Sequence, residues 1–305
     1  MKTKNTYVRK VRYSAADRLF HIVDWLLLIL AAVIVILPLM NVISSSFSNA
    51  TALGAGKVYL LPVGFNLEGY KVLLNDSSLM IGFVNTLLYT CTGTCLNIFL
   101  TVICAYPLSR HDMHGRNWIM MLFTFTMIFS GGMIPNYLLM KNLHLLNTRW
   151  VMILPGALSV YNMIVARTFF ATTIPKELNE AASMDGASDM QMLTKIALPL
   201  AKPILAVLTL FYAQGHWNAY FDGFMYLTDP KLWNLQVALR NLMADITSLM
   251  SGEGAGDLAA AQQAALLQDV VKYAAIVFTS IPIIMIYPFV QKHFVKGVMI
   301  GAVKG

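Results

Sequence analysis

Gly54-Ala55-Gly56-Lys57 brings together the glycines and lysine of a loop that cradles phosphate. That chemistry also requires a leading glycine where Thr51 stands and a hydroxyl where Val58 stands, so the pattern does not bind nucleotide. The six histidines offer no H-E-x-x-H or comparable metal spacing, and His111 and His114 sit in a basic connection as solvated side chains. Cys91, Cys95 and Cys104 share one apolar run with no His or acid beside them, the pattern of packing residues. A carrier driven by an ion gradient needs ionisable groups deep in its membrane spans, each costing about 2.5–3.5 kcal/mol at a helix centre. Asp24, Arg167 and Asp222 fall instead near the ends of apolar runs, where snorkelling lowers the cost. The chain has no residues for catalysis and no proton relay. An ion-coupled secondary transporter is therefore the lesser alternative.

The elements around these residues are apolar. Of the 305 residues 57% are hydrophobic and only 12% charged, with a mean hydropathy of +0.63, too apolar for a soluble domain of this length. Six runs are long enough for a hydrocarbon core of about 30 Å: Trp25–Phe47, Ile81–Tyr106, Trp118–Met140, Trp150–Phe170, Leu200–Phe221 and Tyr273–Val290. An all-α membrane protein with six transmembrane helices is expected. The first run is too long for a cleaved leader and lacks a small-residue cleavage site. Fifteen of the 22 basic residues fall on the side of the two termini and of the connection near Glu180. Both termini are thus expected to be cytoplasmic. The net charge of +7 reads as topology and lipid-headgroup attraction, not as a nucleic-acid footprint.

One connection is longer than a loop needs to be. Pro175 suits the start of a helix through Glu180 and Met184, and Gly186 supplies the left-handed residue that ends it. Ser188 and Gln191 form a capping-box pair for a second helix with Leu193, Ile196 and Ala197 on its apolar face, before Pro199 and Pro203 bend the chain. Ala181, Ala182 and Ala187 keep this element slim, so that a partner's groove could close around it. At Glu180, Ala181, Ala182, Asp185, Gly186, Ala187, Ile196, Leu198, Pro199 and Pro203 the sequence resembles the permease subunits of ATP-binding-cassette importers, with Leu193 where an aromatic is usual. Trp217-Asn218 and the terminal Gly301-Ala302-Val303-Lys304-Gly305 look like the MalG-like, carbohydrate branch. Gly131-Gly132-Met133-Ile134-Pro135 and Asn147-Thr148 look like a subgroup linked to complex oligosaccharides.

The resemblance implies a type I importer fold and a non-catalytic subunit of a binding-protein-dependent carbohydrate importer in a bacterial plasma (inner) membrane. It implies a second, MalF-like permease, an ATPase dimer that binds ATP and Mg, and an extracytoplasmic sugar-binding protein. No cofactor belongs to this chain. A non-transporting scaffold or sensor with the same fold is a further alternative. The expected organisation is a cytoplasmic tail (1–24), a first span (25–47), an outer loop (48–80), a permease core of five helices (81–291) and a cytoplasmic tail (292–305). The core includes the ATPase-coupling loop 173–199 and an outer loop 223–270 in which a Gly-rich turn precedes a short helix at Ala259–Gln268. In the coupling loop Glu180 is the charged anchor, Asp185 fixes the turn by an Asx-type bond, and Gly186 by its left-handed backbone. Aromatic faces and amides that could hold a sugar are Tyr161, Asn162, Tyr212, Gln214, Trp217 and Asn218; each could equally serve interhelical bonding.

Overall fold

The computed structural model describes residues 14–250 and 258–301, with side chains for 14–248 and 265–288, and every regular element among them is helical. The Gly-rich turn at 251–256 and the end of the C-terminal tail lie outside the described residues. Two units divide the fold, one of the chain up to Tyr70 with Leu266–Val277, the other of Lys71–Ala265 with the residues from Phe278 onward.

In the first unit, α1 (Ala15–Ser46) starts ten residues before the expected span, because Ser14 and Asp17 close a capping box at its N-terminus. Its side chains are apolar all round, and its most apolar stretch has no buried residue and a hydropathy of 3.0. The expected outer loop 48–80 is not structureless: it contains α2 (Ala50–Gly54) and α3 (Glu68–Asn75).

The second unit is organised around α4 (Ser77–Ser109), whose N-terminus is capped by Asp76 through Leu79 N at 2.7 Å. The buried face of α4 is rich in polar groups, and several of them hold a neighbour. Asn85 Nδ2 donates to the carbonyls of Lys231 and Trp233 at 2.8 and 3.0 Å, and the Tyr89 hydroxyl to that of Leu232 at 2.9 Å. Thr86 Oγ1 accepts from Leu235 N at 2.7 Å. Asn97 donates to the Gly156 carbonyl at 2.7 Å while its Oδ1 meets His216 Nε2 at 2.7 Å. Where both flanking media are apolar, packing and such interhelical bonds do the work that burial from water does in a soluble protein.

Two expected spans are broken. Trp118–Met140 resolves into α5 (Arg116–Ile128) and α6 (Met133–Asn142), bent by 111°. Gly132, at φ +86°, sits at the break, a conformation that residues with a Cβ avoid. Trp150–Phe170 is a 3-10 turn at Arg149–Met152, a bend through Pro155-Gly156, and then α7 (Val160–Thr173), capped by Ser159. The helical part is 14 residues, about 21 Å long.

After α7 come α8 (Lys176–Met184), α9 (Asp189–Gln191), a π turn at Met192–Ala197 and α10 (Leu198–Leu200). An 80° bend leads into α11 (Lys202–Trp217), so the helix at the expected fifth span begins after Leu200 and ends before Phe221. The expected outer loop 223–270 holds most of α12 (Tyr220–Tyr226) and all of α13 (Leu235–Met250), and Ala259–Gln268 is no separate helix but part of α14 (Leu258–Gly301). Among the described residues, α1, α4 and Ala265–Pro288 of α14 are long and apolar enough to cross a membrane, and five spans result if each bent pair is one.

Candidate functional site

The α8–α10 loop is built from its caps. Pro175, in extended conformation at φ −62° and ψ 150°, is the N-cap of α8 rather than a residue of its first turn. At the other end Ala187 N donates to Ala182 O at 2.9 Å and Gly186 N to Ser183 O at 3.1 Å, with Gly186 at φ +76°. That pair of bonds is a Schellman ending, made by backbone alone. The Asx-type bond expected of Asp185 is absent among the described residues; Asp185 is the C-cap, and its backbone N–H reaches Ala181 O at 3.0 Å. Ser188 and Gln191 then form the expected capping box, at 3.3 and 3.0 Å.

The capped hairpin has two faces. Leu178, Ala182, Ala187, Met192, Leu193, Ile196 and Ala197 pack into the chain's own core with Tyr106, Met163 and Phe170. Ala182 and Ala187 therefore do not belong to a slim outer surface, as their small size suggested; they close the turn and seat the loop. Glu180, Ala181, Asp185, Gly186 and Pro199 are exposed, and Glu180 has no ion pair among the described residues. Two large apolar side chains were overlooked in the sequence: Met184 is 88% exposed and Met190 67% exposed, one on each arm. Helical spacing from the buried Ala182 and Met192 would have placed both on the outer face.

The turn before the fifth span has a cause as well. Pro199 cannot donate to the Lys195 carbonyl four residues back, and its ring would collide with it. The wider π turn at Met192–Ala197 precedes that position and loosens the ladder there.

A second feature not anticipated from sequence is the ionic tie between this loop and α4. Arg110, the C-cap of α4, grips Asp112 with Nε at 2.9 Å from Oδ1, and its Nη1 reaches Asp189 Oδ1 in the first turn of α9. Hydrogen bonding from Arg110 holds the Asp112 carboxyl below its ordinary range. Lys176, with Arg116 and Arg167, pushes His111 below its ordinary range too. A cavity of about 760 Å³ opens between the ends of α4 and α7 and α8, with Tyr106, Arg110, Phe170, Lys176, Glu180 and Met184 in its wall.

The polar residues proposed for a solute path divide in two. Tyr161, Asn162, Gln214 and Asn218 line one open cleft of about 470 Å³ between the start of α7 and the last turns of α11, together with Phe211 and Gly215. The spacing Phe211, Gln214, Gly215, Asn218 is that of one helical face and was legible. Tyr212 and Trp217 are elsewhere. The Tyr212 hydroxyl is 2.7 Å from Thr101 Oγ1 and accepts from Ser159 N at 3.2 Å, and Trp217 Nε1 donates to Thr279 O at 3.0 Å. Both side chains are buried; they join helices and do not face a path. Among the described residues no cluster of His, Cys, Asp and Glu could hold a metal.

Over residues 78–300 the sequence matches the family described as binding-protein-dependent transport system inner membrane component. It is 38% identical over 293 residues to the polygalacturonan/rhamnogalacturonan transport system permease protein YtcP of Bacillus subtilis (strain 168), covering 95% of this chain and 99% of that one. Protein LplC of the same organism is 38% identical over 300 residues, 98% and 99% of the two chains. Among solved structures, a chain of a bacterial ABC transporter involved in the import of the acidic polysaccharide alginate superposes with a TM-score of 0.79 at 35% identity, covering 93% of this chain and all of that one. With a capped hairpin between its apolar helices and a family match over most of its length, this chain belongs to the inner-membrane components of binding-protein-dependent transport systems, as an ABC importer permease subunit.

Proposed function

We propose that this permease subunit carries a carbohydrate of the oligosaccharide class inward across a bacterial plasma membrane. A partner ATPase dimer seated on the α8–α9 hairpin binds ATP and Mg and hydrolyses the ATP. The observation that carries the reading is the hairpin itself. Its caps are internal and Ala182, Ala187 and Ala197 face its own core, while Glu180, Met184 and Met190 face away from that core. Methionines flanking a charged anchor suit a protein groove, since flexible thioethers fill irregular pockets, and a carboxylate suits an arginine or backbone donor in that groove. The oligosaccharide class is supported by the polygalacturonan/rhamnogalacturonan permease and the alginate importer.

In this reading the chain crosses the membrane six times with both termini cytoplasmic, the short α7 with its preceding turn serving as the fourth crossing. The excess of basic residues on that side supports it. A second, MalF-like permease completes the channel, and an extracytoplasmic sugar-binding protein delivers substrate to the outer loops. When the ATPase dimer closes it carries α8, and two links pass the displacement on: the shared core of the hairpin with α4 and α7, and the Arg110–Asp189 tie. The Tyr161–Asn218 cleft offers two aromatic faces for C–H patches and three amides for hydroxyls, with Gly215 allowing close approach.

Uptake of labelled oligosaccharides, plant and algal as well as maltose-type, tests this in cells with the chain intact, deleted, or carrying Glu180→Ala with Gly186→Val. Loss of one sugar's uptake in both altered strains, with the substituted chain at an unchanged membrane level, is the expected result. Unchanged uptake of every sugar overturns it.

A further inference from the structure

The segment Val58–Leu67 has no charged residue, and its side chains point the wrong way for a soluble loop. Tyr59 is 72% exposed, Leu61 73% and Phe65 71%, with Leu60, Val63 and Leu67 also exposed. A water-facing loop is expected to show the reverse pattern, polar side chains outward and apolar ones inward.

Its backbone explains the inversion. Asn41 Nδ2 donates to the carbonyls of Val58 and Tyr59 at 3.2 and 2.9 Å, and Ser44 Oγ to that of Leu60 at 2.7 Å. The Ser48 hydroxyl accepts from Val63 N at 3.0 Å, Asn49 N donates to Val63 O at 3.0 Å, and Asn66 N to Phe47 O at 2.8 Å. The last turns of α1 and the residues just after it thus spend their polar groups on the backbone of this segment. Phe65 is braced by stacking on Phe47, which stacks in turn on Tyr70. Six backbone groups of the segment, the carbonyls of Val58, Tyr59, Leu60 and Val63 and the N–H groups of Val63 and Asn66, are thus held from within while the apolar side chains are left outside. This arrangement is suited to the membrane interface, where apolar side chains can enter the acyl region and the remaining backbone groups still reach water.

Depth follows from the same bonds. Asn41 precedes the end of α1 at Ser46 by five residues, about 7.5 Å of helix rise. Val58 and Tyr59 are held at that level, alongside the flank of a candidate span whose apolar side chains are themselves unburied. The exposed apolar surface of the segment therefore continues that of α1.

We propose that Tyr59–Leu67 is an interfacial anchor, lying in the headgroup and upper acyl region of the bilayer at the end of α1 opposite the basic N-terminal residues. Its partner is the lipid surface, and its function is to fix the depth and tilt of α1. Tyr59 fits that position, where rings with one apolar and one wet side collect, and the wholly apolar ring of Phe65 fits its acyl side; a loop docked in this way resists sliding of the helix along the membrane normal.

Nitroxide accessibility tests it on the full-length chain in lipid nanodiscs, with whatever subunits co-purify. The native Cys91, Cys95 and Cys104 are replaced by serine, and single labels are placed by Leu61→Cys or Phe65→Cys. Leu28→Cys on α1 is the lipid reference and Lys57→Cys the aqueous one. The expected result is a ratio of oxygen to water-soluble nickel collisions at 61 and 65 several-fold above that at 57 and approaching that at 28. A ratio equal to that at 57 overturns the proposal in favour of a solvated loop. A label shielded from both reagents overturns it in favour of a protein partner. If either label prevents folding, Tyr59→Cys provides the same reading from the other end of the segment.

Discussion

Replacing Gly186 isolates what its backbone contributes. The residue lies at φ +76°, and a Cβ built on it meets nothing within 4 Å. Steric overlap therefore costs nothing, and the whole penalty is conformational. Forcing an L-residue into the left-handed region costs about 1–2 kcal/mol, with β-branched side chains at the upper end, whereas asparagine tolerates it. The strain falls on the Gly186–Ser183 and Ala187–Ala182 bonds that end α8. If the hairpin relieves it by opening, the docking-ready form falls by a factor of about 5–30. Activity should rank Gly186 and Gly186→Asn together, then Gly186→Ala, then Gly186→Val. The assay pairs ATPase co-purification with sugar uptake at matched membrane levels, since the apolar helices are untouched. A flat series, or a Val variant whose uptake falls only in proportion to a lower membrane level, would refute the reasoning.

Further expectations concern stability and the cleft. Asn97→Ala leaves the Gly156 carbonyl and His216 without their partner, and should lower the unfolding free energy in detergent by about 1–2 kcal/mol, read as a drop in melting temperature. Gly93→Ala places a Cβ 2.4 Å from His216 Nε2, an overpacking that costs about 1–3 kcal/mol. Tyr212→Phe should cost about 1 kcal/mol in the same melt while leaving sugar selectivity unchanged; Gln214→Ala and Asn218→Ala should do the opposite, reducing uptake without moving the melt. Arg110→Ala should cost no more than about 1 kcal/mol of stability, because Asp189 is largely exposed. Its uptake at equal ATP hydrolysis should fall, and a normal ratio would discard the tie as a link.

What could be read from sequence followed from how local the signals are. The Gly186 turn and the Ser188–Gln191 box are set by residues within a few positions of one another, and they appear where expected. Hydropathy fixed where the chain is apolar but not its direction, so the runs through α5–α6 and into α7 read as single spans. The punctuation was present, in Gly131-Gly132 and Pro155-Gly156, but glycine and proline are tolerated inside membrane helices, and that allowance concealed two breaks. Nothing local marked the Arg110–Asp189 pair, whose members are 79 residues apart. Tyr212 and Trp217 were drawn toward the solute path by residue type alone, when burial decided their role.

The π turn at Met192–Ala197 has a consequence for the way this chain can vary. Such a turn holds one residue more than an α turn, and in a regular helix each residue advances the register by about 100°. Deleting a single residue inside 192–197 would let the turn close to α and keep both the Ser188 cap and the 80° bend in place. The same deletion in α8 would rotate Glu180 and Met184 away from the face they share. Length changes in this hairpin are thus confined by geometry to one short window, and the distance between the Gly186 turn and the fifth span is adjustable there by a single residue.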